Sequence, residues 1–434
     1  MAMETPSLAA EPPVAGPTPA TVAADLVFGC PETAAFAGPD APADLSDRTT
    51  TIAELYPAAR YRRPAPIAVR SGNPDFIRRL AARFARIEAD PAPLPPTLLC
   101  ESRDIRFGYG VLYYPRGDRP VVLRETFRAN DRAVLRGPDA GFRRIDATWD
   151  ADAVLLLIAS AGSFNYGHWL VDDLPRLEAF LVLERRYPGV PITILLASHN
   201  VLMDEVRRRS ILAYLPGHRN LRIRFLDPTE NHRFARLHHV TPSSLHPEAK
   251  SPASLRAMVR RMRRNTRVRR IKARLRHLWE APRSALRRGG RRLFVDRSPA
   301  RGRTLTNRTA IVARLEALGF EAVDPERMNL REQMVLFSQA DLVVGIMGAA
   351  MTNTIFCPQG AELIYLAAGE NWIEPFYWDL AAIGHHRYAV VFGEPVPSGE
   401  HPNERAFTVA MEDLDAALRA TRAGAGQARI APVS

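Results

Sequence analysis

The stretch Ser163-Phe-Asn-Tyr-Gly-His168-Trp-Leu-Val-Asp172-Asp173-Leu-Pro175-Arg176 is the best furnished for chemistry. It follows a continuous apolar run, Ala153 to Ala159, typical of a strand buried on both faces. It therefore reads as the carboxyl end of a strand opening into a helix, where open α/β sheets place their ligands. His168 and Asp172 are four residues apart and share one helix face. A histidine and a carboxylate on one face at a cleft mouth can form a base, or a base with its orienter. The bland alternative is that acids favour a helix N-terminus through its dipole, with Trp169 and Leu170 in the core.

A second candidate is Gly345-Ile-Met-Gly348-Ala-Ala-Met-Thr352-Asn353, small residues between a strand and a helical turn. Backbone N–H groups in such a loop can cradle phosphate. Gly345 and Gly348 match neither the dinucleotide fingerprint nor the P-loop, so a tight turn packing close to the sheet is an equal alternative. The third is Arg297-Ser-Pro-Ala-Arg-Gly-Arg303, whose arginines could clamp a diphosphate through charge-assisted bonds or form a solvated loop. Asp150-Ala-Asp152 resembles a metal–nucleotide pair but precedes its strand, the wrong end, and is discounted.

These segments need a scaffold. The chain has 434 residues, enough for two or three domains. At 46% hydrophobic and 24% charged residues it is an ordinary globular chain, not disordered, collagen-like or coiled-coil. Its longest apolar runs are under ten residues, and a membrane span needs about 20. No secretory signal is visible at the start, and three cysteines without a CxxC suggest neither disulfides nor zinc; a reducing, cytoplasmic setting is expected. Strand and helix signals alternate, which predicts parallel sheets with helices on both faces. We expect a disordered Ala/Pro-rich tail over 1–45, an N-terminal α/β domain over 46–250, a linker helix over 251–290, a C-terminal Rossmann-like domain over 291–400, and a helix and tail over 401–434. Helices are expected over 75–89, 168–186, 307–319 and 329–340, with Asn307 as one cap and Asn329 with Glu332 as another.

The charge is concentrated. Sixteen Lys or Arg and one acid between Arg256 and Arg292 give a local net of +15, which leaves −3 for the rest of a chain whose total is +12. Leu255, Met258, Val259, Met262, Ile271, Leu275 and Leu278 form an apolar stripe along this helix. It reads as a solvated connector or as an element lying on an anionic membrane surface through 255–292. Nucleic acid is disfavoured, since Trp279 is the segment's one stacking aromatic.

The first block, Asn165-Tyr-Gly-His168-Trp-Leu-Val-Asp172-Asp-Leu-Pro175-Arg176, resembles the family-61 glycosyltransferase signature. The second block follows about 120 residues later: Arg297, Arg303 and Asn307, Gly319-Phe, Glu332-Gln333, Ala340-Asp, then Gly345-x-x-Gly348-Ala-Ala-x-Thr352-Asn353-x-x-Phe356. Bacterial members are often capsular polysaccharide biosynthesis proteins. The resemblance implies a GT-B-like pair of facing α/β domains, inverting transfer from a nucleotide-sugar, a UDP-sugar by family habit, and no obligatory metal. It implies donor contacts from Arg297, Arg303, Gly345, Gly348, Ala349, Glu332 and Asn353. On the acceptor side it places Asn165, Tyr166 and Trp169, with a glycan or lipid-linked acceptor. Asp172 is expected as general base with His168 positioning it, or the reverse. Two positions depart from the family pattern: Met347 stands for His and Arg308 for Glu. A non-catalytic nucleotide- or glycan-binding scaffold is therefore the alternative, and a nucleotide-sugar epimerase a third. The expected location is the cytoplasm, peripheral to the inner membrane.

Overall fold

The computed structural model describes residues 27–28, 48–108, 111–114, 121–123, 143–144, 149, 152–160, 162–227, 230–245, 249–276, 290–297, 302–369, 375–398 and 405–421. Two large sheets dominate, one of ten strands and one of seven.

In the first sheet, Val154–Leu157, Ile192–Ala197 and Leu221–Leu226 run parallel. Burial on both faces explains the unbroken apolar sequence of Val154–Leu157, in which every residue is buried. The expectation of a wholly parallel sheet fails here. The long strand Thr97–Gly108 pairs antiparallel with Glu230–Val240, Thr49–Tyr56 and Val111–Tyr114. Within the supposed disordered tail, Val27–Phe28 pairs with Val122–Leu123, and the remainder of 1–45 lies outside the described residues.

The second sheet is parallel through Glu321–Val323, Arg291–Val295, Ala340–Ile346, Glu362–Ala368 and Arg387–Pro395, in that spatial order. Ala68–Ser71 adds a further parallel strand beside Arg387–Pro395. The sheets therefore do not divide at the boundaries read from sequence, because residues 68–71 belong to the second sheet. Phe76 and Phe84 of the helix Pro74–Ala89 follow them there, packing on Phe392 and Trp378. The helix Met411–Ala420 buries Leu414, Ala417 and Leu418 in a separate core against the same sheet, with Ala68, Ala389 and Val391.

Both sheets have a switch point where the strand order reverses. In the second it lies between Arg291–Val295 and Ala340–Ile346, in the first between Val154–Leu157 and Glu230–Val240. Such points open a crevice at the strands' carboxyl ends.

The basic helix, Pro252–Arg276, joins the two halves. Leu255, Met258, Val259 and Met262 are buried in the shared core, so this part of the apolar stripe faces protein and not a membrane. Arg261 pairs with Glu178 and Asn265 Nδ2 donates to the carbonyls of Ala213 and Tyr214 on one side. Arg263 donates to Phe356 and Cys357 carbonyls, and Arg256 to that of Ile383, on the other. Ile271 and Leu275 have side chains outside the description, as does Leu278. Among the described residues no helix is long and apolar enough to cross a membrane.

Candidate active site at the two switch points

After Val154–Leu157 the chain turns through Gly162–Asn165 into a broken helix. Tyr166–His168 is α-helical, Trp169–Asp173 is a π-helical turn, Leu174–Leu177 is 3-10, and Glu178–Arg186 returns to α. A continuous helix over 168–186 was expected. Pro175 has no N–H and its ring crowds the preceding turn, which accounts for the break. π turns recur at functional sites, where they re-aim side chains.

This segment separates two adjacent carboxylates. Asp173 turns inward: its Oδ2 accepts from Ser163 Oγ at 2.7 Å and Ser160 Oγ at 3.0 Å, and its Oδ1 from Arg176 Nη1 at 2.9 Å. Arg176 also donates to the carbonyls of Ala159 and Val240, stitching the two strands of the switch point together. Asp172 turns instead toward His168. Its Oδ2 lies 2.7 Å from His168 Nδ1, as the four-residue spacing predicted. Its Oδ1 accepts from Lys250 Nζ at 3.1 Å. The Asp172 side chain is 4% exposed and that of His168 is 19% exposed. The imidazole is thus the member of the pair that meets the cleft.

Lys250 arrives from the other strand of the switch point, ten residues beyond Val240. Nothing in its local sequence marks it. It was missed because it lies 78 positions from Asp172.

The second sheet contributes loops. Arg297 follows Arg291–Val295, and Gly348 follows Ala340–Ile346, the two strands of its switch point. A β-carbon on Gly348 would lie 2.6 Å from Arg297 Nη1 and 3.6 Å from Arg303 Nη1. Both guanidinium groups therefore lie against the Gly348 backbone. Arg303 holds a left-handed backbone, φ +56°, and donates to the Met347 carbonyl at 2.6 Å. Arg297 Nε donates to the Gly302 carbonyl at 3.0 Å. Ala349 and Ala350 open the 3-10 helix Ala349–Phe356, and the first N–H groups of a helix have no partner within it. Two cations and a helix N-terminus converge here, an arrangement whose charges could meet an anion. At the departures from the family pattern, Met347 uses its backbone carbonyl to hold Arg303, and Arg308 is paired with Asp296 at 3.0 Å.

Several expected site residues do other work. Gly345 lets Met351 and Val295 pack on the sheet: a β-carbon there would run into the Met351 sulfur. Glu332 forms a capping box with Asn329 and is exposed. Asn307 stands at its helix start without capping it, and its amide bonds the Val409 backbone instead. Trp169 is fully buried, with Nε1 donating to Ser210 Oγ at 2.7 Å, and offers no surface to an acceptor. Asn165 caps its helix through the Gly167 N–H. Asn353 is fully buried and joins the halves: Tyr166 OH donates to its Oδ1 at 2.8 Å, while its Nδ2 donates to Gln333 Oε1 at 2.6 Å. Burial holds the Tyr166 hydroxyl well above its ordinary pKa, so it stays a donor. Gln333 was missed beside Glu332. Gly167 completes this contact, since a β-carbon on it would approach Thr352 Oγ1 to 2.7 Å. Phe164 is 60% exposed and meets the His199 ring edge-on, with Val201 and Leu202 exposed nearby in sequence.

Asp152 lies in an exposed turn before its strand, and Asp150 lies outside the described residues. Cys100 and Cys357 are buried free thiols, and Cys30 lies outside the described residues. Among the described residues no group of three His, Cys, Asp or Glu side chains could hold a metal ion.

Comparison with known proteins gives three similarities. Residues 166–364 match the glycosyltransferase 61 family. Over 89 residues the chain is 35% identical to alpha-1,3-arabinosyltransferase XAT2 of Oryza sativa subsp. japonica, covering 19% of this chain and 15% of that protein. The bacterial iron-containing dodecameric glycosyltransferase TibC from enterotoxigenic E. coli is 12% identical, with 64% of this chain and 81% of that chain covered and a TM-score of 0.25, too low to bear on the fold. The matched segment contains both the His168–Asp172–Lys250 cluster and the Arg297–Arg303–Gly348 cluster, and it is in this segment that the chain is similar to the glycosyltransferase 61 family.

Proposed function

We propose that the chain is a family-61 glycosyltransferase that moves a sugar from a nucleotide-sugar to a glycan hydroxyl with inversion, its two halves facing each other in a GT-B-like way. The observation that carries this reading is the pairing of a His–carboxylate dyad at one switch point with two arginines beside a helix N-terminus at the other. The roles of the dyad are the reverse of our first expectation. Asp172 is buried with both oxygens engaged, so it orients the ring through Nδ1. His168 is then the base, acting through Nε2.

In the reaction, Nε2 takes the proton of the acceptor hydroxyl as that oxygen attacks the anomeric carbon. The bond from that carbon to the diphosphate oxygen breaks on the opposite face, which inverts the centre. The proton ends on the imidazole, and the Asp172 carboxylate stabilises the cation. The released diphosphate charge is met by Arg297, Arg303 and the N–H groups of Ala349 and Ala350. Phe164 and His199 offer an aromatic rim for a sugar ring of the acceptor. A UDP-sugar is the donor to try first.

The test is turnover of a nucleotide-sugar panel with glycan acceptors, read as released nucleoside diphosphate and glycosylated product. The reading predicts acceptor-dependent release that His168→Ala abolishes. Nucleotide binding with no release, with or without acceptor, would favour the scaffold reading that Met347 and Arg308 motivate.

A further inference from the structure

Lys250 has no task in the reaction above, yet it is buried against the dyad. Its Nζ donates to Asp172 Oδ1 at 3.1 Å, and the side chains are 3% and 4% exposed. The ammonium also stands 4.3 Å from the centroid of the Phe376 ring, a cation–π contact. That same ring meets the His168 imidazole edge-on, centroids 5.4 Å apart. Lys250 comes from the short strand Ala249–Lys250, and Phe376 opens the helix Phe376–Gly384 that packs with the second sheet. The dyad is therefore enclosed by one residue from each half.

A buried imidazole–carboxylate pair on its own favours the protonated ring, because the cation cancels a buried anion. An ammonium on the second carboxylate oxygen cancels that anion first and sets a like charge near the ring. Two other ionisable groups face Lys250. Tyr61 accepts from the Lys250 backbone N–H at 3.2 Å, and Asp379 lies on the Phe376 helix. Asp379 is already engaged by Arg63 Nε at 2.6 Å and by the Tyr61 hydroxyl at 2.7 Å, and Arg63 also pairs with Glu88. Asp172 is the carboxylate that Lys250 serves directly.

We infer that Lys250 is a positioning residue that, through its charge on Asp172, sets how readily the His168 imidazole takes up a proton, with Phe376 of the opposing half shielding that charge from water. This rests on reading His168 as the base and adds the group that sets its proton affinity. It also means that the base is fully tuned only while the two halves are in contact.

The experiment is NMR titration of the full chain carrying ¹³C-labelled histidine, with the His168 signal assigned by His168→Gln. Lys250→Gln keeps a hydrogen-bond donor and removes only the charge. It should raise the His168 titration midpoint by about one pH unit or more, and Lys250→Arg should restore it. The acidic limb of the kcat–pH profile should move with it while the donor KM stays constant. Lys250→Met gives the same reading if Lys250→Gln does not fold. An unmoved midpoint in the folded neutral variant overturns the inference. A moved midpoint with an unmoved rate profile leaves the tuning standing and removes His168 as the base.

Discussion

His168, Asp172 and Lys250 stand on regular elements and hold one another by side-chain contacts in a nearly dry setting. Arg297, Arg303 and Gly348 stand on loops, half-buried except for the glycine, and are held chiefly through backbone carbonyls. Both groups occupy the same topological position, a switch point at the carboxyl ends of parallel strands. On the proposed reading, the difference follows from the chemistry asked of each. A proton acceptor needs a set orientation and a low local dielectric, so it sits on a helix against a buried carboxylate. A diphosphate brings its own charge and hydration, and arginines on loops can close around it.

The comparison can be broken at either half. The largest effect is expected at the dyad: His168→Ala should lower kcat by about 10²–10⁴-fold with donor affinity unchanged, measured by steady-state kinetics and calorimetry. An equal loss of donor affinity would merge the two halves into one site. Next is the carboxylate beside the dyad. Asp173→Asn leaves the buried Arg176 charge without its carboxylate, and should cost about 3–5 kcal/mol of stability in denaturant unfolding. A mild stability loss with abolished turnover would show instead that Asp173, not Asp172, serves the reaction.

The contrast between these neighbours marks the limit of what sequence could show. The spacing of His168 and Asp172 was legible because four residues return to one helix face. The roles of Asp173 and Arg176 were not, because a π turn and Pro175 redirect the chain between them. Glu332 and Gln333 show the same limit: successive helix residues point about 100° apart, so one caps the helix and the next reaches Asn353. The stripe of the basic helix was legible as amphipathic. What covers it was not, since Leu255 and Met258 meet partners from both halves only in the folded chain. The antiparallel pairing of Thr97–Gly108 also escaped, because a strand's direction leaves no local mark.

A smaller effect concerns histidines on the scaffold. Burial, with Arg176 adding to it, depresses His239 to about 3, and burial with Arg263 depresses His386 to about 4. Both stay neutral in the folded chain, whereas the unfolded chain takes up protons below about 6.5. Stability is therefore fullest above pH 6.5 and falls as pH drops toward 4, by up to about 2 kcal/mol for each histidine at pH 5. Unfolding curves across that window should flatten in a His239→Gln, His386→Gln variant; an unchanged slope would contradict the assignment. The smallest effect is at the rim, where Phe164→Ala should raise the acceptor KM a few-fold, about 1 kcal/mol, and leave the donor KM unchanged.

The most direct test of the two-switch-point account is calorimetric titration of UDP, and of other nucleoside diphosphates in parallel, into the native protein, Arg303→Ala and His168→Ala. The account predicts that the native protein and His168→Ala bind one of them with equal affinity, and that Arg303→Ala binds it about ten- to a hundredfold more weakly. Loss of binding in His168→Ala with Arg303→Ala unaffected, or no binding to the native protein, would contradict it.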